Sequence, residues 1–176
     1  SSVPYSFEDY AIVSNPIVRD PQYNPIERLC ERLGDSPILA AQEIKIFTTG
    51  YDKFEALFAD IRAAKQHIHL QYYAIESDRL GNQLADLLIQ KVSEGVIVRI
   101  LYDDVGSWIS RRSFWKRMRK AGVQVYPFMK VVIPYLSSRV NYRNHRKLAI
   151  IDGEIGYMGG MNIADRYYYG NEMGPW

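Results

Sequence analysis

Segments with strand-like periodicity alternate with helix-like segments over most of this chain, and this order restricts its fold more than any other feature. Apolar residues at positions 54, 57, 58 and 61 have the spacing of an amphipathic helix. The nearly continuous apolar run Val96–Tyr102 is typical of a buried strand. Because strands that alternate with helices indicate βαβ units, we expect an α/β protein with a mixed sheet flanked by helices on both faces.

The predicted elements begin after a proline-rich segment. Residues 1–40 contain five prolines and are expected to be irregular apart from one short helix near Ile26–Leu33. We therefore place a boundary after residue 40, with the α/β domain over residues 41–176. Its predicted elements are a strand Glu43–Thr48, a helix over 52–65, a strand His67–Ile75, a helix over 80–93, a strand Val96–Tyr102, a helix over 109–121, a strand Val123–Phe128, and strands Leu148–Ile151 and Ile155–Met158.

Composition excludes several classes of protein and leaves an anionic partner open. The single cysteine, Cys30, excludes a disulfide framework and a cysteine-rich metal site. No apolar run approaches the ~20 residues of a membrane span. The net charge is −5 over residues 1–60 and +7 over residues 61–176. A basic second part favours nucleic acid, a phospholipid surface or a phosphorylated substrate, and charge alone does not choose among these.

The segment Asn144–Asn162 predicts a β-hairpin that gathers polar side chains at its open end. Asp152-Gly153 provides turn chemistry between two apolar strands, so the loop is expected to hold two residues, either 153–154 or 152–153. In both registers the open end of the hairpin brings together four residues: His145, Lys147, Gly160 and Asn162.

This arrangement suits the binding of a phosphodiester. His145 and Lys147 project to the same face because they lie two residues apart on a strand. Gly159 and Gly160 have no side chains, so a tetrahedral group can approach the backbone, and Asn162 adds an amide donor. No carboxylate cluster accompanies them, which argues against a metal mechanism. The alternative is that His145 is an ordinary surface residue and that the glycine pair only marks a bend.

The pattern His-x-Lys-x4-Asp-x6-Gly-Gly-x-Asn resembles the signature of the phospholipase D superfamily. It falls on six residues: His145, Lys147, Asp152, Gly159, Gly160 and Asn162. Over about residues 42–172 the chain is also similar to bacterial cardiolipin synthases in the order and spacing of its segments. The similar segments include Ile68–Tyr73, Asp78–Gly81, Leu101–Ser107 and Asn141–Lys147.

This resemblance implies a phospholipase D-like half-domain of a phosphatidyltransferase. Such enzymes join two phosphatidylglycerol molecules into cardiolipin through a phosphohistidine, at the bacterial cell membrane, with the active domain facing the aqueous phase and without a metal or organic cofactor. The catalytic residues are then His145, Lys147 and Asp152, of which Asp152 supports the site rather than reacts. Lys147, Gly159, Gly160 and Asn162 are expected to bind the substrate phosphate.

The chain departs from that family in holding a single motif. The two-step reaction needs a nucleophile and an acid, yet no second His-x-Lys occurs. Either two copies pair about a two-fold axis, or a second half is missing. The chain starts at Ser1-Ser2 without Met, ends at Trp176, and lacks the family's membrane-anchoring segment. We therefore expect a truncated half-site that has little or no activity as a monomer.

Two other functions stay open. One is a dimeric single-motif phosphodiesterase that acts on nucleic acid, although nucleic acid is the less favoured partner. The other is a non-catalytic module that binds anionic lipid. The basic helix over 109–121 is either a solvated face over a core stripe, which we favour, or a docking helix for anionic headgroups. The apolar loop Phe128–Leu136 either packs internally or dips into the bilayer.

Two further pairs are expected to be structural. His67 and His69 share a strand face but have no third ligand at a suitable spacing, so we expect no metal site there. Asp103 and Asp104 end a strand, where capping and turn formation are the first expectation. A hydrogen bond that supports the active site is the alternative for this pair.

Overall fold

The computed structural model describes residues 43–128 and 143–170, together with five helical positions at 25, 28, 29, 32 and 33. Those five positions fall in the region of the short helix predicted near Ile26–Leu33. The chain divides into two compact units, Ser1–Ile46 and Phe47–Trp176. The boundary that we place after residue 40 stays a prediction. Cys30 and nearly all of the apolar loop, residues 129–136, lie outside the described residues.

Nine elements make up the described part of the second unit, and most match the predicted ones within a few residues. They are α1 (Gly50–Ala63), β1 (His67–Tyr72), α2 (Arg79–Ser93), β2 (Ile97–Asp103), α3 (Arg112–Lys120), β3 (Gln124–Phe128), β4 (Lys147–Ile151), β5 (Ile155–Met158) and α4 (Asp165–Tyr169). The short helix α4 was not predicted, because five residues are too few to show a helical period.

The strand predicted over Glu43–Thr48 is wrong. These residues form neither helix nor strand, and the side chains of Ile44 and Ile46 are more than four-fifths exposed. A strand is stable only when its backbone N–H and C=O groups pair with a neighbouring strand. No described strand pairs with this segment, so its alternating apolar residues do not produce one.

The five strands form one mixed sheet in the order β3-β2-β1-β4-β5. The β1–β2 and β2–β3 pairs are parallel and are joined by α2 and α3 respectively, which confirms the predicted βαβ units. The β1–β4 and β4–β5 pairs are antiparallel. The carboxyl end of β1 therefore lies beside the carboxyl end of β2 and beside the start of β4, with Tyr72 opposite Lys147.

One face of the sheet forms the hydrophobic core with the described helices. Every second residue of β1 is buried on this face, and it packs in a single cluster with apolar residues of α1, α2 and α3. Side chains of the opposite face, such as His69, Leu148 and Ile150, are half-buried or exposed. The α/β class and the mixed sheet are confirmed. Within residues 43–128 and 143–170, the core-forming helices cover one face only.

No helix in the described part of the chain is long and apolar enough to cross a bilayer.

Candidate active site

The β4–β5 hairpin has a three-residue loop, so both predicted two-residue loops are wrong. Ile151 pairs with Ile155, and the N–H of Gly159 donates to the carbonyl of Lys147 at 3.3 Å. The loop residues Asp152 and Gly153 both have positive φ angles, of 55° and 74°. The N–H of Asp152 bonds to the carbonyl of His67 on β1, so contacts outside the hairpin fix its turn.

His145 and Lys147 lie together at the open end of this hairpin, as predicted. The Lys147 amine is 2.9 Å from Nδ1 of His145 and donates to the His145 carbonyl at 2.8 Å. Lys147 is buried, whereas the imidazole is exposed. Burial lowers the pKa of the Lys147 amine. An ammonium group can only donate, so its contact with Nδ1 leaves the ring proton of a neutral His145 on Nε2.

Tyr73, which is not among the predicted site residues, lies against the imidazole of His145. It directly follows β1, and its ring centroid lies 4.6 Å from that of His145. The Lys147 amine is 5.3 Å from the same ring centroid. The aromatic ring therefore orients the histidine and contacts the cation through its π face. An aromatic pair at the end of a predicted strand is too common in cores to have indicated this role.

Asp103 holds the segment that enters the site. Its carboxylate is buried at the end of β2 and accepts hydrogen bonds from the N–H groups of Val105 and Gly106. It also accepts from the N–H of Asn144 at 3.1 Å and pairs with the Arg143 guanidinium at 3.5 Å. Both predicted roles for this residue are present, because the same carboxylate forms a turn and positions the residue before His145.

Asn162 is held beside the end of β1 by the residue that follows Tyr73. Its side chain is buried; Oδ1 accepts from the N–H of Ala74 at 3.1 Å, and Nδ2 donates to the Tyr167 hydroxyl at 3.2 Å. Consecutive residues after β1 thus contact the imidazole and the carboxamide, since Tyr73 stacks against His145 while Ala74 binds Asn162.

The start of α2 and the start of α4 hold the backbone that follows Asn162. The N–H of Leu80 donates to the Asp165 carboxylate at 2.6 Å, and the N–H of Asp165 donates to Asp78. The Asp78 carboxylate also caps α2 through the N–H of Gly81. This reciprocal pair of carboxylates fixes the turn between Asn162 and α4.

Gly159 and Gly160 are exposed and leave open space in the hairpin. A Cβ atom built on either residue would meet no atom within 4 Å outside its chain neighbours. No described side chain therefore fills the volume above them, as the sequence analysis expected for a backbone that a tetrahedral group approaches.

Asp152 does not join the other site residues. It lies in the hairpin loop, and its carboxylate accepts hydrogen bonds of 2.7–2.9 Å from the N–H groups of Lys65, Gln66 and His67. Desolvation opposes its ionisation, but these three hydrogen bonds outweigh that effect and lower the pKa of Asp152. The carboxylate thus attaches the turn to the amino end of β1, whereas His145 lies beyond the carboxyl end of that strand.

A half-buried lysine on α1, Lys53, lies against the last residue of the same strand. The Lys53 amine lies 3.3 Å from the Tyr72 hydroxyl and 3.7 Å from the ring centroid of Phe54. Burial lowers its pKa to about 7 and raises the pKa of Tyr72. No described carboxylate forms an ion pair with Lys53, so the amine enters the fold at an electrostatic cost.

His67 and His69 form a pair on the other face of β1. Their ring centroids are 4.6 Å apart, and Nε2 of His69 is 3.2 Å from the Arg99 guanidinium. Desolvation lowers the pKa of His69, and the positive charges of His67 and Arg99 act in the same direction. Among the described residues, no three His, Cys, Asp or Glu side chains are grouped to hold a metal ion.

With this geometry established, the family of the chain follows from comparison with known proteins. The family model described as "Cardiolipin synthase, PLD-like domain" matches residues 57–174, which include His145, Lys147 and Asn162. The chain belongs to this family. Its five-stranded sheet and the hairpin that carries His145 are therefore part of a phospholipase D-like domain.

Two curated relatives of this PLD-like domain are named cardiolipin synthase. One, from Geobacillus kaustophilus, is 42% identical over 157 residues, which cover 89% of this chain and 31% of the relative. Another, from Oceanobacillus iheyensis, is 56% identical over 126 residues, which cover 70% of this chain and 26% of the relative. The chain thus spans less than a third of the length of these relatives.

A solved structure shares the fold of the PLD-like domain. NucT from Helicobacter pylori superposes with a TM-score of 0.54 at 21% sequence identity. The match covers 69% of this chain and 74% of the other. At this level of identity the likeness is one of architecture.

Proposed function

We propose that this domain supplies one histidine half-site of a phosphatidyltransferase that forms cardiolipin from phosphatidylglycerol at a membrane surface. The observation that carries the proposal is the exposed His145 imidazole, which lies 2.9 Å from the buried Lys147 amine and beside an open glycine backbone. The match to the cardiolipin synthase family supports the choice of substrate. We name His145, Lys147 and Asn162 as the residues that act on the phosphate, and Asp152 as a positioning residue.

In the first proposed step, the lone pair of Nε2 attacks the phosphorus of phosphatidylglycerol. A P–N bond forms, the P–O bond to glycerol breaks, and an acid protonates the departing alkoxide. In the second step the hydroxyl of another phosphatidylglycerol attacks phosphorus and gives its proton to that same group. The P–N bond then breaks, which returns the histidine and releases cardiolipin.

Lys147 has a second role in this reaction, because it controls which nitrogen of His145 carries the ring proton. Attack by Nε2 requires its lone pair to be free, so the ring proton must move to Nδ1. That tautomer forms only when the ammonium group no longer donates to Nδ1. A bound phosphate provides the alternative acceptor, so the arrival of substrate draws the Lys147 amine toward a non-bridging oxygen and releases Nδ1. Lys147 and the Nδ2 donor of Asn162 then stabilise the charge on the transition state.

The acid must come from outside the residues described here. The other two histidines of the sequence, His67 and His69, contact each other toward the amino end of β1, where His69 also contacts Arg99, away from His145. We propose a second His-bearing half, either in a longer polypeptide or in a two-fold-related copy. The first source is favoured, because the curated relatives are more than three times as long as the matched segment.

The proposal is tested with a chimera in which this chain replaces the matching segment of the Oceanobacillus iheyensis relative. Cardiolipin formed from phosphatidylglycerol in mixed micelles is measured by mass spectrometry. His145→Ala should abolish the product, and a phosphatidyl group bound through an acid-labile P–N bond should be detected on His145 of the unaltered chimera. His69→Gln is the matched control and should retain activity.

Turnover that persists in His145→Ala would contradict the assignment. Cleavage of plasmid DNA by the isolated chain, lost in the same variant, would instead establish a single-motif phosphodiesterase. Because one half-site lacks the acid, the isolated chain should form no cardiolipin at concentrations where it is monomeric.

A further inference from the structure

Two large apolar side chains project from the turn between β2 and α3. Trp108 is 62% exposed and the adjacent Ile109 is 77% exposed. By contrast, the nearby Phe114 and Trp115 of α3 are each only 5% exposed, and Trp115 stacks on Tyr102. The turn therefore presents apolar surface that the core does not use, although the core accepts equally large side chains a few residues later.

The backbone of this turn is fixed from both sides. Ser107 accepts from the N–H of Ile75 at 3.2 Å and donates to the carbonyl of Tyr73, while Ser110 donates to the carbonyl of Ile75. Both serines are buried, and the two residues between them, Trp108 and Ile109, are directed toward solvent. A Cβ atom at Gly106 would lie 2.3 Å from the carbonyl oxygen of Tyr73, so the approach is close. Exposure of Trp108 and Ile109 is therefore a property of a rigid turn.

Exposed cations that form no ion pair with a described residue come directly after this turn in the sequence. Arg111, Arg112 and Lys116 are exposed, and within the described residues none of them forms an ion pair. Arg117, one position further, does pair with Asp86 at 2.6 Å. Arg112 and Lys116 lie one turn apart and share a helix face.

Arg111 and Arg112 do not stabilise the amino end of α3, where they lie. The first turn of this helix contains no acidic residue, and its N-cap, Arg111, forms no capping hydrogen bond through its side chain. Cations at the amino end of a helix oppose its dipole and cost a few tenths of a kcal/mol each at the surface.

This surface lies at the same edge of the sheet as His145. Ser107 bonds to the carbonyl of Tyr73, and the ring of Tyr73 stacks against the imidazole. The buried Asp103, four residues before Ser107, holds the backbone of Asn144. The exposed turn and the candidate catalytic histidine are therefore attached to the same end of β1 and β2.

We propose that Trp108, Ile109, Arg111, Arg112 and Lys116, together the Trp108 patch, dock this domain on an anionic phospholipid bilayer. Trp108 and Ile109 enter the headgroup region, where an indole is amphipathic enough to reside. The three cations bind lipid phosphates around them. The patch would thereby hold the active-site edge against the surface that contains the substrate, so this inference rests on the proposed function.

Charge alone would also fit a nucleic acid, but the apolar pair favours lipid. Lysine and arginine bind either kind of phosphate, and an exposed indole such as that of Trp108 stacks on unpaired bases. Ile109 is the more exposed of the two side chains and has no comparable use on a polyanion. A bilayer interface accommodates both side chains beside the cations.

The test is sedimentation of this chain with sucrose-loaded vesicles. The vesicles contain phosphatidylcholine alone, or phosphatidylcholine with roughly 30 mole per cent phosphatidylglycerol, which gives a strongly negative surface. Binding should require phosphatidylglycerol and should weaken with added salt. Lys116→Gln should lower the affinity by about fivefold, since one cation near such a surface contributes ~1 kcal/mol. Lys65→Gln, at the other end of the sheet, is the control of equal charge and should have no such effect.

A second pair of variants tests the apolar contribution. Trp108→Ala with Ile109→Ala should weaken vesicle binding by about tenfold or more. Ile97→Ala, which removes an exposed apolar side chain at the amino end of β2, should leave it unchanged. Circular dichroism should show native folding in all of these variants, because the altered side chains are exposed. Quenching of tryptophan fluorescence by brominated lipid should be lost largely in Trp108→Phe.

Equal binding to neutral and anionic vesicles, or an effect of the Trp108 patch variants no larger than that of their controls, would overturn the inference. Salt-sensitive DNA binding that depends on Lys116 but not on Ile109 would also overturn it, in favour of a nucleic-acid surface. Failure of the catalytic proposal can be distinguished from failure of the docking proposal, because His145→Ala should bind vesicles as the unaltered chain does. In the chimera, patch variants should lose activity on vesicles but not on a short-chain substrate in solution.

Discussion

The backbone N–H of Asn144 donates a hydrogen bond of 3.1 Å to the buried carboxylate of Asp103. The bond joins the carboxyl end of β2 to the residue that precedes His145, across 41 positions of sequence. Since the same carboxylate also forms the turn that leads to Ser107, it relates the position of the imidazole to that of the neighbouring loop.

Asp103→Asn should therefore impair both stability and the site. The amide keeps the shape of the carboxylate but loses the charge that pairs with Arg143, and one of its two ends can no longer accept a hydrogen bond. The free energy of unfolding should fall by about 1–3 kcal/mol in urea titrations. Activity of the chimera should fall at temperatures where the variant is still folded. A variant with unchanged activity would show that the segment before His145 needs no such attachment.

Asn162 allows its structural and catalytic contributions to be separated. Asn162→Ala leaves the buried N–H of Ala74 without an acceptor, so it should cost about 1–3 kcal/mol of stability. Asn162→Asp keeps the acceptor but replaces an amide donor with a negative charge beside the phosphate. It should fold nearly as well as the unaltered domain yet reduce kcat by about 100-fold or more. Equal activity in Asn162→Asp and the unaltered protein would remove Asn162 from the phosphate site.

The contribution of Asp152 to stability should depend on pH in a defined direction. Hydrogen bonds from three N–H groups lower the pKa of Asp152 in the folded state, so stability is gained above the unfolded value near 4 and is lost as pH falls through the folded value. Asp152→Asn, which tolerates the same positive φ angle, should be less stable at pH 7. The difference in free energy of unfolding should shrink below about pH 4. A constant difference from pH 7 to pH 3 would contradict this account.

Lys53 should also make stability rise with pH, but at higher pH and because its charged form destabilises the folded state. Burial lowers its pKa from 10.5 to about 7, so between these values the unfolded chain binds the extra proton and stability rises with pH. Lys53→Met removes the desolvated amine and should stabilise the fold by about 1–3 kcal/mol at pH 6. That gain should decrease as pH approaches 10. Urea titrations at pH 6 and pH 9.5 measure it, and a gain that increases with pH would refute the explanation.

The alternation of helices and strands could be predicted from the sequence, because apolar periodicity is local. The spacing of residues 54, 57, 58 and 61 was sufficient to predict the buried face of α1, and all four are buried. It also placed His145 beside Lys147, since residues two apart on a strand share a face. The same local argument was wrong for Glu43–Thr48, where no described neighbouring strand supplies the hydrogen bonds.

The turn of the hairpin and the surroundings of the imidazole depend instead on contacts between distant parts of the chain. The loop has three residues because Asp152 bonds to the backbone of residues 65–67, more than eighty positions away. The pairing of β1 with β2 and β4 brings Tyr73 to His145 and Asp103 to the backbone of Asn144, which no local pattern records. The exposure of Trp108 and Ile109 follows from two buried serines that face backbone atoms of another element. Such contacts depend on which chain ends meet at one edge of the sheet, and that is a property of the assembled strands.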